Sequence, residues 1–273
     1  MAQTNKEINT LTNKDLSIQI SLSGLSFCIL QRDSNTISSL TEINFGKKLN
    51  YLVLLDHLKN AIEDTPALQQ SFNSITVVHD NDLSNLVPMP LFDEDHLADY
   101  LKFSSKILKS DFIATDDILL NDSVNVYVPF ININNFIYDT FGEFTFKHVS
   151  SVLIENILLT EKNADEPKVY VNVGQDHFEI IIVDKAKLVL YNTFDFSSKE
   201  DFIYYILFTT EQLNLNPETF QLILLGQIEE GDELYNIAYK YIRFVSFGDK
   251  NVNYNFVETP KSKHSNFTLI HSF

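Results

Sequence analysis

The sequence predicts an α/β protein built from two copies of a βββαβα unit, arranged as two lobes whose mixed sheets carry helices on both faces. Three observations lead there. The stretch from Lys168 to Phe196 repeats without a gap the pattern of Leu16 to Phe45. A shift of 151 positions (169 minus 18) lays Ile18 on Val169, Ile20 on Val171, Leu22 on Val173, Phe27 on Phe178, Ile29 on Ile180, Asp33 on Asp184, Ile37 on Leu188 and Phe45 on Phe196. A register held through two turns reads as a duplicated supersecondary unit. Each triplet is also followed by alternating helical and strand patterns, and 273 residues, 44% hydrophobic with 22 Phe and 12 Tyr, suffice for two cores.

Beyond a polar tail over residues 1–13, the first lobe (14–163) opens with a hairpin, in which Ile18, Ile20 and Leu22, then Phe27 and Ile29, alternate on either side of Ser23-Gly24. A turn at Arg32 to Asn35 leads to a third strand ending near Phe45. Leu54, Leu55, Leu58 and Ile62 give Asn50 to Glu63 a helical spacing, with Pro66 beyond its end. Ser74 to Val78 carries the β-branched run of a buried parallel strand. After Pro88 and Pro90, a helix is expected from Asp93 to about Leu108, acidic at its start with Lys102, Lys106 and Lys109 towards its end, as the helix dipole favours. Strands follow at Phe112 to Ala114 and Val124 to Phe130, then a short helix near Asn134 to Phe141, a strand at Phe144 to Val149 and a helix from Ser150 to Thr160. The polar, proline-ended segment Glu161 to Pro167 marks the domain boundary. The second lobe (164–273) repeats the order with three strands in Lys168 to Phe196, a helix from Ser198 to Leu213 and a strand at Phe220 to Leu225. A helix from Asp232 to Val245 and a last strand near Val252 to Val257 complete it, and Asn266 to Phe273 is either a strand or a loose end.

The formal charge of -17, from 37 acidic and 20 basic side chains, argues against a nucleic-acid partner and an anionic membrane surface. The single cysteine, Cys28, cannot close an internal disulfide and reads as a buried strand thiol in a reducing compartment. A polar start and the lack of any stretch of about 18 apolar residues point to a cytoplasmic chain without secretory signal or membrane insertion.

Two βββαβα units in tandem, each entered by a hairpin with a small-residue turn, resemble the ribonuclease H-like halves of the actin-like ATPase fold shared by actin, heat-shock chaperones and sugar kinases. At finer grain the chain is similar to a family of uncharacterised Bacteroidetes proteins with a degenerate form of that fold. The resemblance implies that the hairpin turns are phosphate loops and that a glycine turn after a late strand meets adenosine. On that basis Ser21, Ser23 and Gly24, Asn172, Gly174 and Gln175, and Gly226 mark a vestigial nucleotide cleft. The phosphate-loop pattern of the fold is Asp, apolar, Gly, and its aspartates hold Mg2+ through its waters. Ser21 and Asn172 stand there without charge, Asp176 falls opposite Leu25 in the repeat, and Gly226 is a single glycine where a pair belongs, so the parts of a Mg2+·ATP site are incomplete. Gly174 is expected to serve a turn of positive φ.

No nucleophile elbow, Walker loop, Ser/His/Asp arrangement or HExxH occurs. Asp93 to His96 reads as charge stabilisation of a helix start, and Asp116-Asp117 and Glu229 to Glu233 as solvated loops. His57, His79, His148 and His177 are scattered, none with a second ligand at metal-binding spacing. Phe202, Tyr204, Tyr205 and Phe208 cover more of a helix than one buried face needs, which reads first as core packing and second as a partner surface. The chain is expected to be a non-catalytic interaction or assembly module with no cofactor and no metal, meeting an unknown protein as a monomer or homodimer. An ATP-binding ATPase or kinase with an atypical Mg2+ site is the alternative, and a scaffold that binds nucleotide without hydrolysis a third.

Overall fold

Alternating apolar residues make the two strand triplets, and each triplet becomes the antiparallel part of a mixed sheet. The structure is a computed structural model that describes residues 13–249, 253–260 and 262–273. All but Asn13 of the expected tail, and Val252 of the expected last strand, lie outside the described residues. In the first half, β1 (Lys14–Ile20), β2 (Gly24–Gln31) and β3 (Thr36–Asn44) form a meander. Helix α1 (Tyr51–Asp64), capped by the Asn50 side chain on the Leu52 and Val53 N–H groups, leads to β4 (Ser74–His79), parallel to β1. The chain then leaves this sheet to build a smaller antiparallel one from β5 (Ser84–Pro88), β6 (Ala114–Ile118) and a central β7 (Ser123–Tyr127), with α2 (Leu97–Leu101) between β5 and β6 in sequence. It returns through α3 (Ile131–Phe141) to β8 (Thr145–His148), parallel to β4.

Helix α4 (Val149–Thr160) opens the way to the second half, where β9 (Lys168–Val173), β10 (His177–Asp184) and β11 (Lys187–Asp195) precede α5 (Lys199–Gln212), β12 (Gln221–Gly226), α6 (Glu233–Tyr241) and β13 (Phe244–Phe247). The order β11-β10-β9-β12-β13 matches β3-β2-β1-β4-β8 of the first half. Then β14 (Asn255–Phe256) adds to the free edge of β3, and α7 (Phe267–His271) packs on β1 and β2 and against α4. Residues 255–256 thus pair in the first sheet although they follow the Glu161 to Pro167 segment.

The repeat holds, but its register changes from element to element. The hairpins close on Ile20 opposite Leu25 and on Val173 opposite Phe178, so the first two strands are related by 153 positions (173 minus 20) rather than 151. The cores agree, with Leu16, Ile18, Ile20, Leu25, Phe27 and Ile29 corresponding to Val169, Val171, Val173, Phe178, Ile180 and Ile182. Both second strands bulge at the matching place, between Ile29 and Leu30 and between Ile182 and Val183. The turn Lys185-Ala186 is shorter than Arg32 to Asn35 and restores 151 (187 minus 36) in the third strands. The helices are offset by 148 (199 minus 51), which sets the buried Leu54, Leu58, Ala61 and Ile62 on the buried Phe202, Ile206, Thr209 and Thr210. A slip of two leaves every strand side chain on its own face, so alternation cannot tell 151 from 153. Leu22, expected in the core, is accordingly a half-buried turn residue.

Helix α4 is apolar on nearly all sides because it lies between the halves, where Val152, Leu153, Ile154 and Ile157 pack with Tyr170, Ile181 and Val183 on the reverse face of the second sheet. Other expectations shift. The helix expected from Asp93 to Leu108 shrinks to a 3-10 turn at Glu94–His96 and α2, whose one buried residue is Leu101, because packing rather than dipole charge sets helix length. Asp116 belongs to β6 rather than to a loop, and accepts from Tyr127 Oη (3.0 Å), His148 N–H (2.8 Å) and Ser151 Oγ (2.6 Å) at the start of α4. Phe244 and Val245 leave the helical stripe to pair with β12, and residues 267–271 form α7 rather than a strand. On α5, Phe202 is core and Tyr205 stacks on Phe194, whereas Tyr204 and Phe208 stack on each other at the surface.

Phe178 is fully buried, with its ring centre 5.0 Å from that of Phe202 and 5.6 Å from that of Phe194. Phe178→Ala should cost about 3–5 kcal/mol in urea unfolding, and a loss below about 1 kcal/mol would mean that the wrong face of β10 has been assigned to the core. His148 is buried and neutral, with its Nε2–H donating to Asn81 O (3.0 Å), its Nδ1 facing Ser150, and burial pushing its pKa down to about 4. Below pH 6.5 the unfolded chain takes up a proton there that the folded chain does not, so stability falls as pH drops from about 6.5 towards 4. Unfolding measured against pH should show a His148 share of this fall on the order of 3 kcal/mol that His148→Asn removes, while buried His79, pushed down to about 3, keeps its own. Parallel curves for the two proteins would exclude this role.

Candidate functional site

The two hairpin turns meet where the halves face each other, and local hydrogen bonds shape each. Ser21 N–H donates to Gly24 O (3.0 Å) while Ser21 Oγ accepts from Gly24 N–H (2.9 Å) and Ser23 N–H (3.2 Å), so a serine hydroxyl closes the first turn. In the second, Gly174 N–H donates to His177 O (2.9 Å). Gly174 is not among the glycines of positive φ; a Cβ there would come within 3.1 Å of the His177 ring and carbonyl, so close approach is what favours glycine. Gly226, ending β12, does have φ +82°, and a Cβ would lie 2.3 Å from Val173 O. By the hairpin register Asn172 is the counterpart of Gln19, and Gly174 that of Ser21. Gln19-Ile20-Ser21 thus lies at the place of Asn172-Val173-Gly174, a correction to the pairing of Ser21 with Asn172.

Side chains of the second turn reach into the first lobe. With its amide oriented by its neighbours, Gln175 donates to Ser23 O (2.7 Å) and Asn44 Oδ1 (2.8 Å) and accepts from Gly46 N–H (3.1 Å). Beside it, Lys48 Nζ pairs with Asp195 (2.9 Å) and Asp176 (3.7 Å) of the other lobe. Deeper in, His177 Nε2 lies 3.0 Å from Asp80 Oδ1 across the seam and 3.3 Å from Glu179 Oε1, while its Nδ1 lies 3.0 Å from Asp176 Oδ1. Two amides hold the outer carboxylate oxygens. Gln19 Nε2 donates to Asp80 Oδ2 (3.0 Å), and Asn172 Nδ2 donates to Glu179 Oε2 (2.8 Å).

Burial favours a neutral imidazole at His177, but the Asp80, Asp176 and Glu179 carboxylates outweigh it and hold the pKa well above the ordinary histidine value. Burial would likewise raise the Asp80 pKa, yet facing His177 it ends below the usual carboxylate range. A single Nε2–H serves one acceptor well; Asp80 takes it, and Glu179 Oε1 keeps an ion-pair contact without a hydrogen bond.

All seven residues expected in the cleft, Ser21, Ser23, Gly24, Asn172, Gly174, Gln175 and Gly226, line one cavity of about 130 Å3 between the turns. Sequence reasoning missed the group on its floor, since His177 finds Asp80 97 positions away. Among the described residues, Asp80, His177 and Glu179 form the one group of at least three His, Cys, Asp or Glu side chains placed to hold a metal ion, their ligand atoms within 4.8 Å of one another. The legible signal was Glu179, a carboxylate inside a strand buried on both faces.

Residues 3–245 match the family described as Protein of unknown function (DUF3822). The chain belongs to that family. No curated protein matches. Among solved structures, a protein of Bacteroides thetaiotaomicron VPI-5482 described as having an actin-like ATPase fold and unknown function is similar over 97% of each chain, with a TM-score of 0.79 at 22% identity. A chain of a PilM-PilN type IV pilus biogenesis complex is similar over 94% of this chain and 97% of its own, with a TM-score of 0.61 at 9% identity. Ethanolamine utilization protein EutJ of Carboxydothermus hydrogenoformans is similar over 95% of this chain and 88% of its own, with a TM-score of 0.51 at 6% identity. The fold of this DUF3822 chain is the actin-like ATPase fold, and identities this low carry the fold alone. No helix among the described residues is long and apolar enough to cross a membrane.

Two contacts across the seam should differ sharply in weight. His177→Ala leaves Asp80 and Glu179 facing each other without a cation and should cost about 3–5 kcal/mol. Lys48→Ala removes a pair whose side chains are 47% and 66% exposed and should cost less than about 1 kcal/mol. Equal losses in urea unfolding would show that the buried imidazole does not hold the turns together.

Proposed function

We propose that this protein is a non-catalytic member of the actin-like fold that works as an interaction or assembly module, with a degenerate nucleotide cleft closed by its own side chains. The observation that carries the reading is the fate of the two phosphate-loop positions, where the amides of Gln19 and Asn172 are bonded to Asp80 and Glu179. The residues fit Mg2+·ATP poorly. Mg2+ needs anionic oxygens free to order its waters, whereas Asp80, Asp176 and Glu179 all face His177. The cavity of about 130 Å3 is also below the roughly 300 Å3 at which small-molecule pockets begin. A protein partner accords with the likeness to a chain of the PilM-PilN complex, and the surface pair Tyr204 and Phe208 offers aromatic area for one.

One observation favours a scaffold that binds nucleotide without hydrolysis: a second cleft of about 800 Å3 adjoins Gly226, where the resemblance puts adenosine. Its Glu42, Glu229, Asp232 and Glu258 would repel phosphates, which places this reading second.

The purified protein should hydrolyse ATP no faster than background, and its Tm should not rise with ATP and Mg2+. Gln19→Asp with Asn172→Asp should not create turnover, because positioning and charge stabilisation are lost together. Magnesium-dependent hydrolysis by the unmodified chain, abolished by Asn172→Ala, would replace this reading with an ATPase; a Tm rise with ATP alone would replace it with the nucleotide-binding scaffold.

A further inference from the structure

We propose that Asp80, His177 and Glu179 form a binding site for a first-row divalent transition-metal cation, Zn2+ or a close relative, which ties the two lobes together beneath the hairpin turns. The proposal goes beyond the module reading and does not depend on it. Its first support is the spacing of the donor atoms. Asp80 Oδ1 and Glu179 Oε1 lie 3.0 and 3.3 Å from His177 Nε2, and all three atoms lie within 4.8 Å of one another. Bonds of about 2.0–2.1 Å in a tetrahedral or octahedral shell separate neighbouring donors by roughly 3.0–3.4 Å, so the atoms already stand near coordinating distance.

The second support is the shell behind them. Ligands of a metal site are oriented through their outer atoms, typically a histidine by a carboxylate and a carboxylate by a donor. Here Nδ1 of His177 faces Asp176, the far oxygen of Asp80 accepts from Gln19, and the far oxygen of Glu179 accepts from Asn172. The outer atoms of all three groups are thereby held, and their inner atoms stay within 4.8 Å of one another. The third support is Glu179 Oε1 itself, on a side chain 1% exposed. That oxygen has an ion-pair contact with His177 but no hydrogen bond, and direct coordination to a metal cation would replace the contact with a bond.

A cation there takes the place of the Nε2 proton, which leaves to solvent, and offsets the excess of carboxylates around one imidazole. Asp80 and His177 also line the cavity of about 130 Å3, which has room for water molecules to complete the shell. One imidazole nitrogen with two carboxylate oxygens selects Zn2+, Co2+ or Mn2+ over Mg2+, which prefers an all-oxygen shell.

The test is calorimetry and thermal unfolding of the full chain after chelator treatment, titrated with Zn2+, Co2+, Mn2+ and Mg2+. One equivalent of Zn2+ should bind and raise Tm, Mn2+ should bind more weakly, and Mg2+ more than 100-fold more weakly. Co2+ should give a visible d–d spectrum that added Zn2+ removes. His177→Gln and Glu179→Gln should weaken Zn2+ at least 100-fold, and Gln19→Ala about 10-fold through the outer shell. Circular dichroism confirms that each variant is folded, and the wild-type Co2+ spectrum tests the site without any variant. His96→Gln, at the exposed Asp93–His96 pair, should leave the binding unchanged. No saturable Zn2+ or Co2+ binding to the wild type, binding that survives in a folded His177→Gln protein, or Mg2+ bound as tightly as Zn2+ would each overturn the proposal.

Discussion

A single imidazole at the seam faces three carboxylates, and the two hairpin turns meet around it. Taking such charges out of water costs several kcal/mol per ion, and attraction offsets that only where the remaining oxygens are also satisfied. Gln19 and Asn172 supply that satisfaction for the outer oxygens of Asp80 and Glu179. An aspartate at either position would set carboxylate against carboxylate, on Asp80 or on Glu179, and remove a donor as well. The amides at these two positions and the buried network are thus one physical constraint.

The seam has two unlike ends. At one, α4 is wrapped by apolar side chains of both halves, a contact that tolerates small sliding because dispersion is not directional. At the other, the turns mesh through hydrogen bonds with fixed partners, from Gln175 to Ser23 and from His177 to Asp80. Rotation of the lobes about α4 would leave the apolar end in contact while breaking the polar end first.

Much of this architecture was legible, and the misses share a cause. The duplication and the order of elements follow from local pattern, and the seven residues that the resemblance singled out line one cavity. The register did not follow from pattern, because strands repeat every two residues and Ile18 matches Val169 as well as Val171 by hydrophobicity alone. The helix pair would have resolved it, since Leu54 and Leu58 match Phe202 and Ile206 at a different offset from the strands. The Asp80 to His177 contact lay beyond local reading, since nothing within a few residues of either announces a partner in the other half. Glu179 was the exception, a charge in an otherwise apolar strand that has to be answered by something.

The pairing of β14 with β3, and the packing of α7 beside β1, bear on how the polypeptide reaches its shape. Asn35 donates to the carbonyl of Asn253, 218 positions on, and Ser17 meets Ser272 across 255. Contacts of such separation close long loops before they return any energy, so they form late and slowly. The first sheet therefore waits with an open edge until residues far downstream arrive, and an open edge is the surface on which strands of different molecules stick. Completing the first sheet thus requires residues that follow the second, and a chain in which they have yet to dock presents that edge to its own copies.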